Sequence, residues 1–180
     1  MHFLKMHKDK AFASLLGLLL GCLLPVLSPA HMVGVSTEEL ARGSDLVVEG
    51  TVEGTTSQWS NDGTTIYTSA TVVIQRVIRG KTEQNRVVVE YEGGKVGRDG
   101  LKVSDVAEMA KGEKVLLFLT RGRSRKDGFA FHTVGKAQGK YTVGDDGIAR
   151  KKGVSLGRGR EVIDAEIPVD VLIEKIQSVQ

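Results

Sequence analysis

Lys114-Val115-Leu116-Leu117-Phe118-Leu119-Thr120 decides the fold. Its apolar residues fall on both faces of an extended strand, which places it in the centre of a sheet rather than at a solvated edge. Outward from it lie other strand-like runs. Leu46-Val47-Val48-Glu49-Gly50-Thr51-Val52 is the first. Thr65 to Ile78 is a long β-branched stretch, and Arg86-Val87-Val88-Val89-Glu90-Tyr91 follows. Downstream, Phe129 to Thr133 and Gly139 to Val143 complete the set, with Ile148-Ala149-Arg150 as an edge.

The punctuation between these runs is that of hairpins. Asp-Gly occurs at Asp62-Gly63, Asp99-Gly100, Asp127-Gly128 and Asp146-Gly147, and this dipeptide tolerates the positive φ of tight turns. Short connections of this kind argue for a meander or small antiparallel barrel, not parallel βαβ units. Two helices bracket the strands. Ser36-Thr37-Glu38-Glu39 is a capping box that starts a short helix ended by Gly43. After Pro168, Val169 to Val179 is amphipathic, with Val171, Leu172, Ile176 and Val179 as its apolar face.

Residues 1–30 read as an address. Lys5, Lys8 and Lys10 precede an apolar run from Ala11 to Leu27, and Ser28-Pro29-Ala30 ends it with small residues. This is the pattern of a secretory signal peptide. Two alternatives stay open: a lipobox around Leu19-Leu20-Gly21-Cys22, with Cys22 as the lipid anchor, or an uncleaved span. Cleavage leaves a single domain, residues 31–180, with net charge +1 and no Cys. A chain of that size can bury a sufficient core without disulfides. The expected location is secreted or periplasmic.

Catalytic patterns are sparse. The mature chain has only His31 and His132, lacks HExxH, GxSxG and P-loop motifs, and after processing has no thiol. Glu90 and Glu92 alternate on one strand face, which suits a solvated face better than a glycosidase pair. His132 has no metal-ligand spacing around it. The expectation is a non-enzymatic protein with no cofactor and no metal.

Binding residues are easier to nominate. Gly93-Gly94-Lys95-Val96-Gly97-Arg98-Asp99-Gly100 is a Gly-rich loop whose Lys95 and Arg98 suit a binding rim. Gly135-Lys136-Ala137-Gln138-Gly139-Lys140-Tyr141 reads either as a bulged strand entry or as a ligand-facing loop with Lys136, Gln138 and Lys140 as contacts. Trp59, the only Trp, sits beside the Asp62-Gly63 tip as a lid or an exposed anchor. Charge is uneven. Residues 121–160 carry net +8, including Arg121, Arg123, Arg125, Lys126, Arg150, Lys151, Lys152, Arg158 and Arg160. Such a stretch suits an anionic envelope lipid or glycan. An exported chain with few aromatic residues disfavours nucleic acid.

The order Ser44-Asp45-Leu46-Val47-Val48-Glu49-Gly50-Thr51-Val52, then Val77-Ile78-Arg79-Gly80, then Gly112-Glu113-Lys114-Val115-Leu116-Leu117-Phe118-Leu119 resembles the netrin-like module, the OB-type barrel of the tissue inhibitors of metalloproteinases. The resemblance covers residues 44–121. Separately, the Gly93-Gly94 loop and the Gly135-Lys136-Ala137-Gln138-Gly139-Lys140-Tyr141 stretch resemble uncharacterised secreted bacterial proteins, which implies no function. The netrin-like resemblance implies an OB-like antiparallel β-barrel and a protein-binding habit, with a secreted protease as one candidate partner. Those inhibitors chelate zinc through an N-terminal Cys. No Cys survives processing here, so that chemistry is not implied. The expected function is an exported module that binds a protein through its barrel loops.

Overall fold

Ser36 caps the first helix as its spacing predicts. In the computed structural model its Oγ accepts the Glu39 N–H at 3.2 Å, and the Glu39 carboxylate accepts the Ser36 N–H at 2.9 Å. Helix α1 (Thr37–Arg42) follows and buries Leu40 and Ala41. The structure describes residues 33–125, 128–154, 156 and 161–179, all within one unit spanning residues 32–180. The expected signal segment, Cys22, His31, Lys126, Arg158 and Arg160 lie outside the described residues.

The protein is mainly β. Strands β1 (Leu46–Trp59) and β2 (Ile66–Arg79) form a long antiparallel hairpin, and β3 (Arg86–Glu92) pairs with β2. The Gly-rich segment is a small separate hairpin, β4 (Gly94–Val96) and β5 (Asp99–Leu101). Then come β6 (Lys114–Arg123), β7 (Phe129–Thr133), a 3₁₀ turn (Lys136–Gly139), β8 (Lys140–Val143), β9 (Ile148–Arg150), β10 (Glu166–Pro168) and helix α2 (Val169–Gln177).

Strand β1 is the hinge of the arrangement. It pairs with β2 on one edge and β6 on the other, so the pairings run β1–β2–β3–β7–β6 and back to β1. All are antiparallel except β3–β7, a parallel link made by the single pair Val89 and Phe131. Register shifts at Val47/Val48, Glu49/Gly50 and Val52/Gly54 bend β1 enough to serve both neighbours. Gly50 sits at one of them, where a side chain would collide with the Val73 carbonyl.

Two apolar clusters explain the central run. Val115, Leu117 and Leu119 face inward with Leu46, Val48, Val72, Val87, Val89 and Phe131. Leu116 and Phe118 face the other way, onto Tyr141, Ala149, Ile167 and the helices. Strand β6 therefore separates the interior of the circuit from a second core that β8–β10, α1 and α2 cover.

Several expectations are corrected. The Asp99-Gly100 pair lies inside β5, and the turn falls at Gly97, with φ 61°. The Gly135–Tyr141 segment is not a bulged strand entry but a 3₁₀ turn with Gly135 left-handed at φ 66°. Helix α2 buries Leu172, Ile173 and Ile176, while Val171 is 41% exposed.

Candidate functional site: two binding surfaces

The residues nominated from sequence separate into two kinds. Trp59, Lys95, Arg98 and Lys136 are exposed, Trp59 by 42%. Gln138 and Lys140 are buried. The Gln138 Oε1 accepts the Val35 N–H at 2.8 Å and its Nε2 donates to the Val33 carbonyl at 2.9 Å. It fastens the segment before α1 to the 3₁₀ turn. The Lys140 ammonium donates to the Glu108 carbonyl and pairs with Glu113 at 2.7 Å. Both side chains spend their polar groups inside the chain and not on a ligand-facing loop.

Glu113 is the centre of that network. It also accepts Thr142 Oγ1 at 2.5 Å and the Ala110 N–H at 3.0 Å. Burial pushes its carboxyl up, but Lys140, Thr142 and the Ala110 amide together hold it below the usual value. Glu90 departs from the solvated face expected for it. At 5% exposure, it accepts Ser124 Oγ at 2.8 Å and the Arg125 N–H at 2.9 Å, fixing the β6–β7 connection against β3. Glu92 accepts from Thr65 Oγ1 at 3.0 Å, outside that network.

The first surface is a trough at the end of the circuit where β1 stops. One part, about 610 Å³, lies between the β4–β5 hairpin and the hydroxyls of Thr55, Ser57 and Thr68, with Tyr91 and Met109 beneath. A second part, about 810 Å³, runs from Lys102 past Glu113 to Lys152. They share Lys102, Glu108 and Met109. Lys95 lines the first part, and Arg98 projects from the hairpin turn. Lys136 instead lines a smaller cleft of about 200 Å³ with Glu90, Glu92 and His132.

The second surface lies between the β2–β3 connection and β7. Phe129 is 59% exposed and stands edge-on to Phe131, with ring centroids 6.2 Å apart. The Arg121 guanidinium lies 5.7 Å from the Phe129 centroid and 5.9 Å from that of Phe131. Val77 and residues Gly80 to Gln84 complete a groove of about 770 Å³. Asp45 sets Arg121 from behind: its carboxylate accepts the Arg121 backbone N–H at 2.8 Å and Thr120 Oγ1 at 3.0 Å. Those two bonds hold the Asp45 carboxyl below its usual value.

Sequence reasoning did not nominate this groove. Strand alternation puts Phe129 and Phe131 on one face, as for a buried pair. The interior ends at the Val89–Phe131 link, so Phe131 is buried and Phe129 runs past it.

The basic stretch is divided by the fold. Arg121 and Arg123 lie at the far end of β6, whereas Arg150 lies on β9, level with Val115 through β8. Six residues of strand separate those levels by roughly 20 Å. Arg125 lies over Tyr67 at 5.0 Å, and Arg150 pairs with Asp146 at 2.7 Å. Lys151 is partly buried over the Tyr141 ring. Burial pushes its ammonium down to about 8, with Asp164 opposing and Lys175 adding to the shift.

The chain matches no protein-family model and no curated protein. Among the described residues no helix is long and apolar enough to cross a membrane, and no group of three or more His, Cys, Asp or Glu is placed to hold a metal ion.

Proposed function

We propose that the chain is an exported, non-enzymatic binding module that holds an extracytoplasmic protein at the Phe129 groove. The observation that carries this reading is an aromatic side chain, mostly exposed, held against a second ring under an arginine. Protein interfaces concentrate Phe and Arg at their cores, and a few such residues carry most of the affinity. The matching partner offers an apolar side chain to Phe129 and a carboxylate to Arg121, whose side-chain N–H groups take no hydrogen bond among the described residues.

The strand order β1–β2–β3–β7–β6 is consistent with the OB-type resemblance of residues 44–121, and that resemblance makes a secreted protease the first partner class to assay. Zinc chelation by a terminal Cys forms no part of the proposal. The test is capture of secreted proteins on the immobilised chain, washed at high salt. A single protein is expected on the native chain, with Phe129→Ala and Arg121→Ala each weakening its capture by about thirtyfold, as for a hot spot of about 2 kcal/mol. Equal recovery on all three chains contradicts the assignment.

A further inference from the structure

We infer that the trough at the end of β1 is a binding site for an acidic oligosaccharide, separate from the Phe129 groove. Shape is the first argument. Two depressions lie side by side, with Lys102, Glu108 and Met109 lining both, and such neighbouring subsites fit a chain of several units.

Chemistry is the second argument. Lys95, Lys102 and Lys152 line the trough, and none has an ion-pair partner among the described residues. Unpaired ammonium groups suit carboxylates. Glu113 is neutralised by Lys140, but two further carboxylates line the trough: Asp105, and Glu108, whose side chain is exposed and takes no hydrogen bond among the described residues. A carboxylate among lysines disfavours a uniformly anionic ligand. A sugar acid answers both groups, because its hydroxyls donate to Glu108 while its carboxylates take the lysines.

The third argument is the apolar platform. Thr55, Ser57 and Trp59 alternate along β1 without a register shift, so they share one face of the strand. Trp59 lines neither depression, but it shares the strand face of Ser57, about 7 Å of strand further on. Its exposed ring offers a flat surface for the apolar face of a sugar ring, which an acidic peptide does not present on every unit.

Trp59 is also the readout, since the chain has no other Trp. The full chain is titrated with oligogalacturonate, oligoguluronate and chondroitin sulfate fragments, with neutral galactan oligomers and poly-glutamate peptides of equal length as comparisons. Indole fluorescence and calorimetry are followed together. At least one acidic saccharide is expected to bind saturably and shift the Trp59 emission, with the neutral and peptide comparisons weaker by about tenfold or more. Lys102→Ala and Lys95→Ala are each expected to weaken it by about three- to tenfold, and raised salt to weaken it further. Both lysines are exposed, so the variants keep the native far-ultraviolet spectrum. Phe129→Ala leaves saccharide binding unchanged, which keeps this outcome distinct from that of the protein-binding reading. Three results overturn the inference: no acidic saccharide binding at millimolar concentration, poly-glutamate binding equally well, or affinity unmoved by both lysine variants.

Discussion

Gln138 is 1% exposed and fully engaged by Val33 and Val35. Its Ala variant removes two part-buried hydrogen bonds, each worth about 0.5–1.5 kcal/mol, and opens space where the buried side chain stood. We expect Gln138→Ala to lose about 2–4 kcal/mol in urea unfolding and to speed amide exchange in residues 33–40. A loss under 0.5 kcal/mol would contradict the latch. The same residue shows what a sequence hides at this scale. Gln between glycines looks like a mobile polar contact, because its partners are two backbone groups more than 100 positions away. Lys140 is alike: its partner Glu113 precedes it by 27 residues and meets it only because β6 and β8 pair. Ser36 is the opposite case. Both halves of its capping box lie within four residues, so the local pattern specifies the geometry.

Elements were legible where their own pattern decides them. The both-faced apolar run of β6 and the β-branched run of β2 stand close to their expected bounds. Strand β1 continues seven residues past Val52, through Glu-Gly-Thr-Thr-Ser-Gln-Trp. That polar stretch has little strand signal of its own and is held by six paired positions along β2, from Gly54 to Trp59. In α2, tertiary contact selects Leu172, Ile173 and Ile176 over Val171. Leu172→Ala is expected to cost about 2–5 kcal/mol by opening a cavity in the second core. Val171→Ala, on the exposed side, is expected to stay within about 0.5 kcal/mol. Thermal melts of the two variants separate the faces, and equal losses would contradict this packing.

At the scale of the whole molecule, the mainly β class with a helix before the first strand and another at the end could be read from the run lengths and the Asp-Gly turns. The two candidate surfaces could be read only in single residues, Lys95, Lys152 and Arg121 among them. The trough needs Thr55, Lys102 and Lys152 brought together, and the groove needs the interior to end at one bridge between β3 and β7. Acid stability also belongs here. Burial raises the carboxyls of Glu113 and Asp164, but the hydrogen bonds and cations around each outweigh it, and both end below their usual values. Bonds from Arg121 and Thr120 lower Asp45. A carboxyl lowered by folding adds stability that is complete above its unfolded value, about 4, and is lost as pH falls through the folded value. Urea midpoints are therefore expected to hold from pH 7 to about 5 and to fall steeply below about 4. Glu113→Gln should lower the neutral-pH midpoint and flatten that fall, and an unchanged acid slope would count against the Lys140–Glu113 account.

The central claim is that Phe129 contacts a partner protein. The most direct measurement replaces Phe129 with a photo-crosslinking phenylalanine analogue and, as a control, does the same at Val171, which is also exposed and apolar. Irradiation takes place in the native extracytoplasmic fraction. The account predicts one discrete adduct from position 129 and none from position 171. No adduct at 129, or the same adducts from both positions, would contradict it.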